Sequence, residues 1–306
     1  MIEMRRILCP VDFSEVSRRA LDHAVAIARW YESSIAVFHV CAPVPVTAYA
    51  TVASMMPPTL ASGDNRKDVL AAMKDFVKAD ASVPIDLEIG EGNAAREIIV
   101  QANASRSDLI VMGTHGRSGF ERFVLGSVTE RVLRHAGCPV LTVPPRAVDA
   151  VPFTPVIFKR IVCAIDFSDC SMSALDYAMS IAQEANAQLT VLHVVEPFPH
   201  LRGDESEAAL GRAELVRELA AAAEEEARAR LERAIPEGVR EFCQVETVQT
   251  VGKASHEILK VAATQASDLI VIGVHGRSAA DILFFGSTTQ AVVRQATCPV
   301  LTLRVG

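Results

Sequence analysis

Two glycine-rich stretches carry the residues of this chain that are best suited to hold a phosphate. The first, Gly113 to Ser127, reads glycine, two residues, glycine, nine residues, glycine and serine. The second, Gly273 to Ser287, repeats this spacing, and each stretch follows an apolar run. Glycine lets the backbone approach a ligand closely, and the start of a following helix offers unpaired N–H groups to an anion. The repeated spacing predicts two phosphate-binding loops; tight turns that need glycine only for backbone shape are the alternative.

Other side chains in the two loops fit the same chemistry. Arg117 and Arg277 follow the second glycine of each loop. A planar guanidinium suits phosphate, although each arginine has a surface role as its alternative. His115 and His275 lie inside the loops, where they can hydrogen-bond a phosphate or pack at an interface, and the sequence does not decide between these roles.

An aspartate follows the first predicted strand of each half of the chain. These residues are Asp12 and Asp166, each followed by Phe-Ser. In open α/β sheets, ligands lie outside the carboxyl ends of the strands, close to such positions. A carboxylate there can accept ribose hydroxyls or hold Mg²⁺ through water. The alternative is a purely structural aspartate at the start of a helix, beside Ser14 or Ser168.

An internal repeat determines the predicted architecture. Ile7 to Ser14 returns as Ile161 to Ser168, and each half alternates short apolar runs with segments of helical periodicity. This alternation predicts parallel sheets covered by helices. The 306 residues suit two domains, which we assign to 1–146 and 157–306 with a linker at 147–156. Helices are expected over Asp64 to Asp80 and, in the second half, over about Glu205 to Ile235, whose charge run is typical of a solvated face or of a partner-binding helix.

Composition excludes several classes of protein. The net charge of −7 argues against nucleic acid as the main partner. There is no run of about 18 apolar residues, so no membrane span is expected. The seven cysteines show no disulfide-like spacing, which predicts a reducing compartment and hence a cytoplasmic protein.

Taken together, these motifs resemble the universal stress protein family in its tandem, ATP-binding form. The resemblance rests on Val-Asp-Phe-Ser after strand one, His-Val in strand two and the glycine loops, and it covers nearly the whole chain. It implies two tandem Rossmann-like domains of the adenine nucleotide alpha hydrolase-like type. Each would have a five-stranded parallel sheet of order 3-2-1-4-5 with helices on both faces. It also implies that the fifth strands, Pro139–Val143 and Pro299–Leu303, pair and join the halves as a pseudo-dimer.

The resemblance further implies ATP or ADP as ligand, accompanied by Mg²⁺. Adenine would contact the backbone of Val11 and Val40, or of Ile165 and Val194, while Asp12 and Asp166 would meet ribose or metal. The phosphates would be held by Gly113, His115, Gly116, Arg117, Gly126, Ser127 and Val128, and by Gly273, His275, Gly276, Arg277, Gly286, Ser287 and Thr288. The nine-residue spacer is more basic in the first loop, which favours the first half as the better phosphate binder.

Three functions remain open on the sequence. The first is a nucleotide-dependent regulator in the stress response, with an adenine nucleotide and an unknown protein as partners. The second is a slow Mg-dependent ATP hydrolase, at most weakly active, since no general base stands out apart from Asp12 or Asp166. The third is a scaffold or apolar-ligand binder that uses the apolar loop at 44–60. Association of two chains into a homodimer is also left open.

Overall fold

The computed structural model describes residues 2–41, 64–77, 83–115, 125–145, 158–196, 207–274 and 286–304. The strands are β1 Arg6–Pro10, β2 Ser34–Cys41, β3 Ile85–Glu91, β4 Leu109–Gly113, β5 Val140–Val143, β6 Arg160–Ala164, β7 Gln188–Val195, β8 Val245–Val251, β9 Leu269–Gly273 and β10 Val300–Leu303. The helices are α1 Glu15–Tyr31, α2 Asp64–Val77, α3 Ala94–Ala104, α4 Ser127–His135, α5 Asp169–Ala185, α6 Glu207–Arg233, α7 Ala254–Thr264 and α8 Ser287–Gln295, with a 3₁₀ helix at Glu237–Glu241. The predicted linker at 147–156 and the apolar loop at 44–60 lie outside the described residues.

The described strands form one ten-stranded sheet, β3-β2-β1-β4-β5-β10-β9-β6-β7-β8. Each half therefore has the predicted order 3-2-1-4-5, and the strands within a half are parallel. The two halves meet where β5 and β10 pair in antiparallel fashion, with Leu301 opposite Leu141. The predicted pairing of the fifth strands is confirmed, and it makes the two small sheets continuous.

Helices cover both faces of this sheet, as predicted. The apolar core on one face receives α1, α2, α5 and α6, through residues such as Leu21, Met73, Leu175 and Leu231. The core on the other face receives α3, α4, α7 and α8, represented by Ile98, Leu133, Ile258 and Val293. The central strands are buried on both sides, which explains why they read as continuous apolar runs rather than as alternating ones. Among the described residues, no helix combines the length and apolarity needed to cross a membrane.

Some element boundaries differ from those predicted. Strand β1 ends at Pro10, so Val11 begins the following turn instead of ending the strand. Helix α6 ends at Arg233 rather than Ile235, because Pro236 follows and disfavours the α conformation in the residue before it. Helix α2 is described to Val77, and the remainder of its predicted span lies beyond the described residues. These shifts leave the order of the elements unchanged.

Candidate functional site

A strained turn follows the first strand of each half. Phe13 and Phe167 both have φ of 64°, a conformation that is rare for a bulky residue. Backbone strain of this kind persists only where the surrounding structure holds it, and it concentrates at functional sites. The local pattern Asp-Phe-Ser gives no sign of this positive φ, because phenylalanine rarely adopts it.

Hydrogen bonds fix the aspartate of each turn in the same way. Asp12 Oδ1 accepts from the Ser14 backbone N–H at 3.1 Å and from the Ser14 hydroxyl at 2.5 Å. Asp166 makes the matching bonds with Ser168 at 3.1 and 2.6 Å. Ser14 and Ser168 in turn cap α1 and α5. Each aspartate thus has a structural role, and the same bonds hold a half-buried carboxylate at the edge of the sheet.

A histidine from the second strand braces each turn. His39 donates through Nδ1 to the carbonyl oxygen of Val11 at 2.8 Å, and its ring lies 4.6 Å from that of Phe13, centroid to centroid. His193, Ile165 and Phe167 repeat this arrangement in the second half. Both histidines therefore serve to hold the turns by packing and hydrogen bonding.

The backbone groups of Val11 and Ile165, which are expected to contact adenine, also make hydrogen bonds within the fold. The Val11 N–H donates to Phe38 O at 2.8 Å, and the Ile165 N–H donates to Leu192 O at the same distance. The carbonyl oxygens of Val11 and Ile165 accept from His39 and His193, and each has a second lone pair that an adenine amino group can use, so the backbone contact stays a prediction that concerns the carbonyl rather than the N–H. Val40 and Val194 lie one residue beyond these histidines, near the ends of β2 and β7.

In the described part of the chain, no side chain caps the start of the helices that follow the glycine loops. Gly126 and Gly286 are the N-cap residues of α4 and α8, and glycine has no side chain to bond the first N–H groups. Ser127 and Ser287 follow and are exposed. Thr129 and Thr289 anchor each helix start by donating to the carbonyl of Gly113 or Gly273 at 2.8 Å. Each helix start therefore presents the backbone N–H groups of its first turn and a serine hydroxyl beside the end of the fourth strand.

Two glycines of each loop are also required by packing. A Cβ on Gly113 would lie 2.8 Å from Val16 Cγ1, and one on Gly273 would lie 3.1 Å from the backbone of Cys170. A Cβ on Gly126 or Gly286 would lie 2.9 or 2.6 Å from the carbonyl oxygen of Thr114 or Val274. Glycine at these positions is thus explained by backbone geometry, so the presence of glycine is not in itself a sign of a ligand.

The middle of each loop lies outside the described residues, which leaves Gly116, Arg117, His275, Gly276 and Arg277 as predictions. His115 is the last described residue before that segment in the first half. Its Nδ1 bonds the Thr114 hydroxyl at 2.9 Å, while Nε2 is enclosed without a hydrogen-bond partner in the structure as described.

In the second half, the predicted residues come together around a cavity of about 830 Å³. Those lining it are Ile165, Asp166, Val194, Gly273, Gly286, Ser287 and Thr288. Sequence reasoning missed a further wall of the cavity, formed by Ala223, Glu226, Ala227 and Arg230 of α6. The sequence of α6 gave little signal for this role, because its alternating charges are typical of a solvated helix face.

The predicted residues of the first half lie at the matching edge of the sheet. Val11 and Asp12 follow β1, Val40 lies near the end of β2, Gly113 ends β4, and Gly126, Ser127 and Val128 open α4. Both halves thus present the same backbone arrangement at the carboxyl ends of their strands, as expected for ligand sites in open α/β sheets.

The carboxylates at the two edges decide which kind of metal ion the sites suit. Among the described residues there is no cluster of three side chains able to hold a metal ion. Asp12 and Asp166 instead offer one carboxylate each, which suits Mg²⁺, an ion that proteins often bind through one or two carboxylates together with substrate phosphates. The residues present fit a magnesium ion brought in with a nucleotide better than a resident metal centre.

The fold and site define a tandem α/β protein with a ligand-sized cavity at a carboxyl edge of its sheet. The model of the universal stress protein family matches residues 3–144 and 157–304, so the chain belongs to that family. A universal stress protein of Mycolicibacterium smegmatis is 27% identical over 97% of this chain and 96% of its own. Universal stress protein MJ0531 of Methanocaldococcus jannaschii is 35% identical over 45% of this chain and 81% of its own. The crystal structure of a universal stress protein from Archaeoglobus fulgidus has a TM-score of 0.65 at 22% identity, with 99% of this chain and 97% of that one covered, which shows the shared fold.

Proposed function

We propose that this protein binds an adenine nucleotide, ATP or ADP with Mg²⁺, and acts as a nucleotide-dependent regulator in the stress response. The observation that carries the proposal is the cavity of the second half, where Asp166, Val194 and the uncapped start of α8 face one space. Its volume of about 830 Å³ lies in the range of small-molecule sites.

Each part of the cavity matches one part of a nucleotide. The start of α8 offers backbone N–H groups and a partial positive charge to the phosphates, and Ser287 adds a hydroxyl. The Asp166 carboxylate accepts ribose hydroxyls or holds water on a magnesium ion. The apolar end of β7, at Val194, lines the cavity and offers a surface on which the base can pack. Membership of a family with this glycine spacing supports the same assignment for the first half.

The proposal is tested by placing a negative charge where the phosphates would lie. Ser287→Asp and Ser127→Asp put carboxylates in the first turn of α8 and α4, where they stabilise the helices but repel phosphate. We expect the double variant to lose Mg-ATP binding by at least about a hundredfold in calorimetry, while its melting temperature stays the same or rises. Ser287→Asn and Ser127→Asn, which add no charge, serve as the matched control. Mg-ATP affinity unchanged by the aspartates, or no affinity in the wild type, would refute the proposal.

The purified protein provides a second readout. Denaturation followed by chromatography measures the adenine nucleotide that remains bound through purification. We expect ATP or ADP to be released from the wild type and to be absent from the double aspartate variant.

A further inference from the structure

We infer that the two halves are not equivalent as nucleotide sites: the second half is the tighter one, and Arg230 of α6 is its specificity-determining residue. The inference rests on the proposed function and concerns residues that lie outside the glycine loops. The Arg230 guanidinium carbon lies over the Phe167 ring, 4.2 Å from the centroid, and Arg230 also lines the cavity.

The matching position in the first half is occupied by an aromatic ring. Phe76 of α2 meets Phe13 edge-on with ring centroids 5.5 Å apart, as Arg230 meets Phe167. One residue further along, Val77 and Leu231 are both buried. This correspondence aligns Phe76 with Arg230, Met73 with Ala227 and Val69 with Ala223.

Two of these pairs make the second half roomier. Met73 is fully buried in the core of the first half, whereas Ala227 leaves space and lines the cavity. Val69 packs against the first core, whereas Ala223 is exposed and lines the cavity. The sheet contributes a third difference, because Phe38 occupies the strand position that Leu192 has in the second half. The α6 wall is defined as Ala223, Glu226, Ala227 and Arg230. Its two alanines open space that Met73 and Val69 fill in the first half.

Charge distinguishes the two sites as well. Three carboxylates, Asp166, Glu196 and Glu226, line the cavity of the second half. Among the described lining residues, Arg230 is the one side chain with a permanent positive charge, so it offsets their repulsion of an anionic ligand. Glu226 is itself paired with Arg233 at 3.1 Å. In the first half, Arg18 lies over the Phe76 ring at 5.5 Å and pairs with Asp22 at 3.7 Å.

The stack on Phe167 also orients Arg230. A guanidinium can rest one face on an aromatic ring while its edge keeps N–H donors for a ligand. Because Phe167 is held by its turn and by His193, the base of this stack is rigid. The geometry gives the second half a pre-positioned donor for a phosphorylated nucleotide, a feature that the first half lacks at the matching position.

This assignment opposes the expectation drawn from the more basic spacer of the first glycine loop. That spacer lies outside the described residues, whereas the α6 wall is described.

Calorimetry of the full chain with Mg-ATP and with adenosine separates the two views. Arg230→Met should weaken Mg-ATP about tenfold, or about 1.4 kcal/mol, and change adenosine less than twofold. Arg228→Met, an exposed arginine of the same helix paired with Glu225 at 3.2 Å, is the matched control and should change neither.

A second test replaces residues of the α6 wall with their counterparts from the first half. Ala227→Met with Arg230→Phe places first-half residues in the second half and should remove the tighter Mg-ATP binding event. The variants Ser127→Asp and Ser287→Asp then assign each event to a half. The inference would be overturned if Ser127→Asp removed the tighter Mg-ATP binding event, or if Arg230→Met and Arg228→Met had the same Mg-ATP affinity. Either result would leave nucleotide binding itself in place. Absence of Mg-ATP binding in the wild type would refute the proposed function instead.

Discussion

A close approach to one backbone carbonyl oxygen explains the glycine at the start of the last helix in each half. Gly286 lies so close to the carbonyl oxygen of Val274 that a Cβ would approach it to 2.6 Å, and Gly126 shows the same approach to Thr114 at 2.9 Å. In each case the glycine N–H donates to that same carbonyl, at 3.1 and 2.9 Å. Backbone packing therefore explains the glycine of each motif, and the exposed serine that follows it is the better indicator of a ligand.

Gly286→Ala should destabilise the protein by about 2 kcal/mol, because the added methyl forces backbone to move in a tightly packed turn. Gly238→Ala is the matched control: its Cβ would have no neighbour within 4 Å, and alanine in this 3₁₀ helix should be neutral or stabilising by up to about 1 kcal/mol. Urea unfolding measures both. Equal stability of the two variants would show that the close approach at Gly286 does not constrain the turn.

Helix starts show how the two halves differ at the scale of an element. Helix α3 is capped by Asn93, whose side chain accepts from the N–H of Arg96 at 3.1 Å. At the same position of α7, Lys253 makes no such bond, and Glu196 accepts from the N–H of Ala254 at 3.3 Å from across the loop. The backbone of Lys253 is extended, with φ of −75° and ψ of 121°, as a capping residue requires.

Lys253→Asn should therefore stabilise the protein by about 0.5–1 kcal/mol by copying the cap of the first half. The reverse exchange, Asn93→Lys, should destabilise it by a similar amount. Both changes can be measured as shifts in the urea midpoint at constant slope. If Lys253→Asn lowers the midpoint, the bond from Glu196 already serves as the cap, and the lysine is favoured for another reason.

At the scale of the whole molecule, the halves are joined by more than the central strand pair. Trp30 lies 5.7 Å from Phe158, ring centroid to centroid, and Phe158 is only 1% exposed. The hydroxyl groups of Tyr31 and Ser180 are 2.9 Å apart, which connects α1 with α5. Burial raises the pKa of Tyr31 to about 12. These contacts and the continuous sheet predict that the halves unfold as one cooperative unit.

Phe158→Ala should lower the free energy of unfolding by about 3–4 kcal/mol, because it leaves a cavity between the halves. Phe242→Ala removes the same atoms from a residue that is 62% exposed and should cost less than about 0.5 kcal/mol. Trp30 is the only tryptophan, so its fluorescence reports on this junction, and far-UV circular dichroism reports on the whole chain. Loss of the fluorescence signal before the dichroism signal in the wild type would contradict cooperative unfolding.

The sequence was sufficient for the parts of this protein that depend on local pattern and repetition. Apolar runs alternating with helical spacing predicted the parallel sheets, and the repeat of Asp-Phe-Ser with the glycine loops predicted two equivalent edges. Ser14 and Ser168 were readable as caps because capping depends on residues adjacent in the chain. The same local logic identified the serines that open α4 and α8.

What the sequence left undecided depends on residues far apart in the chain. The strain at Phe13 and Phe167 becomes visible only when His39 and His193 are placed beneath the turns. The role of Arg230 could not be read from α6, since a charged helix face looks the same whether it borders solvent or a cavity. Tertiary packing brings Arg230 onto a ring 63 positions earlier, and this long-range contact distinguishes two sites that share one motif.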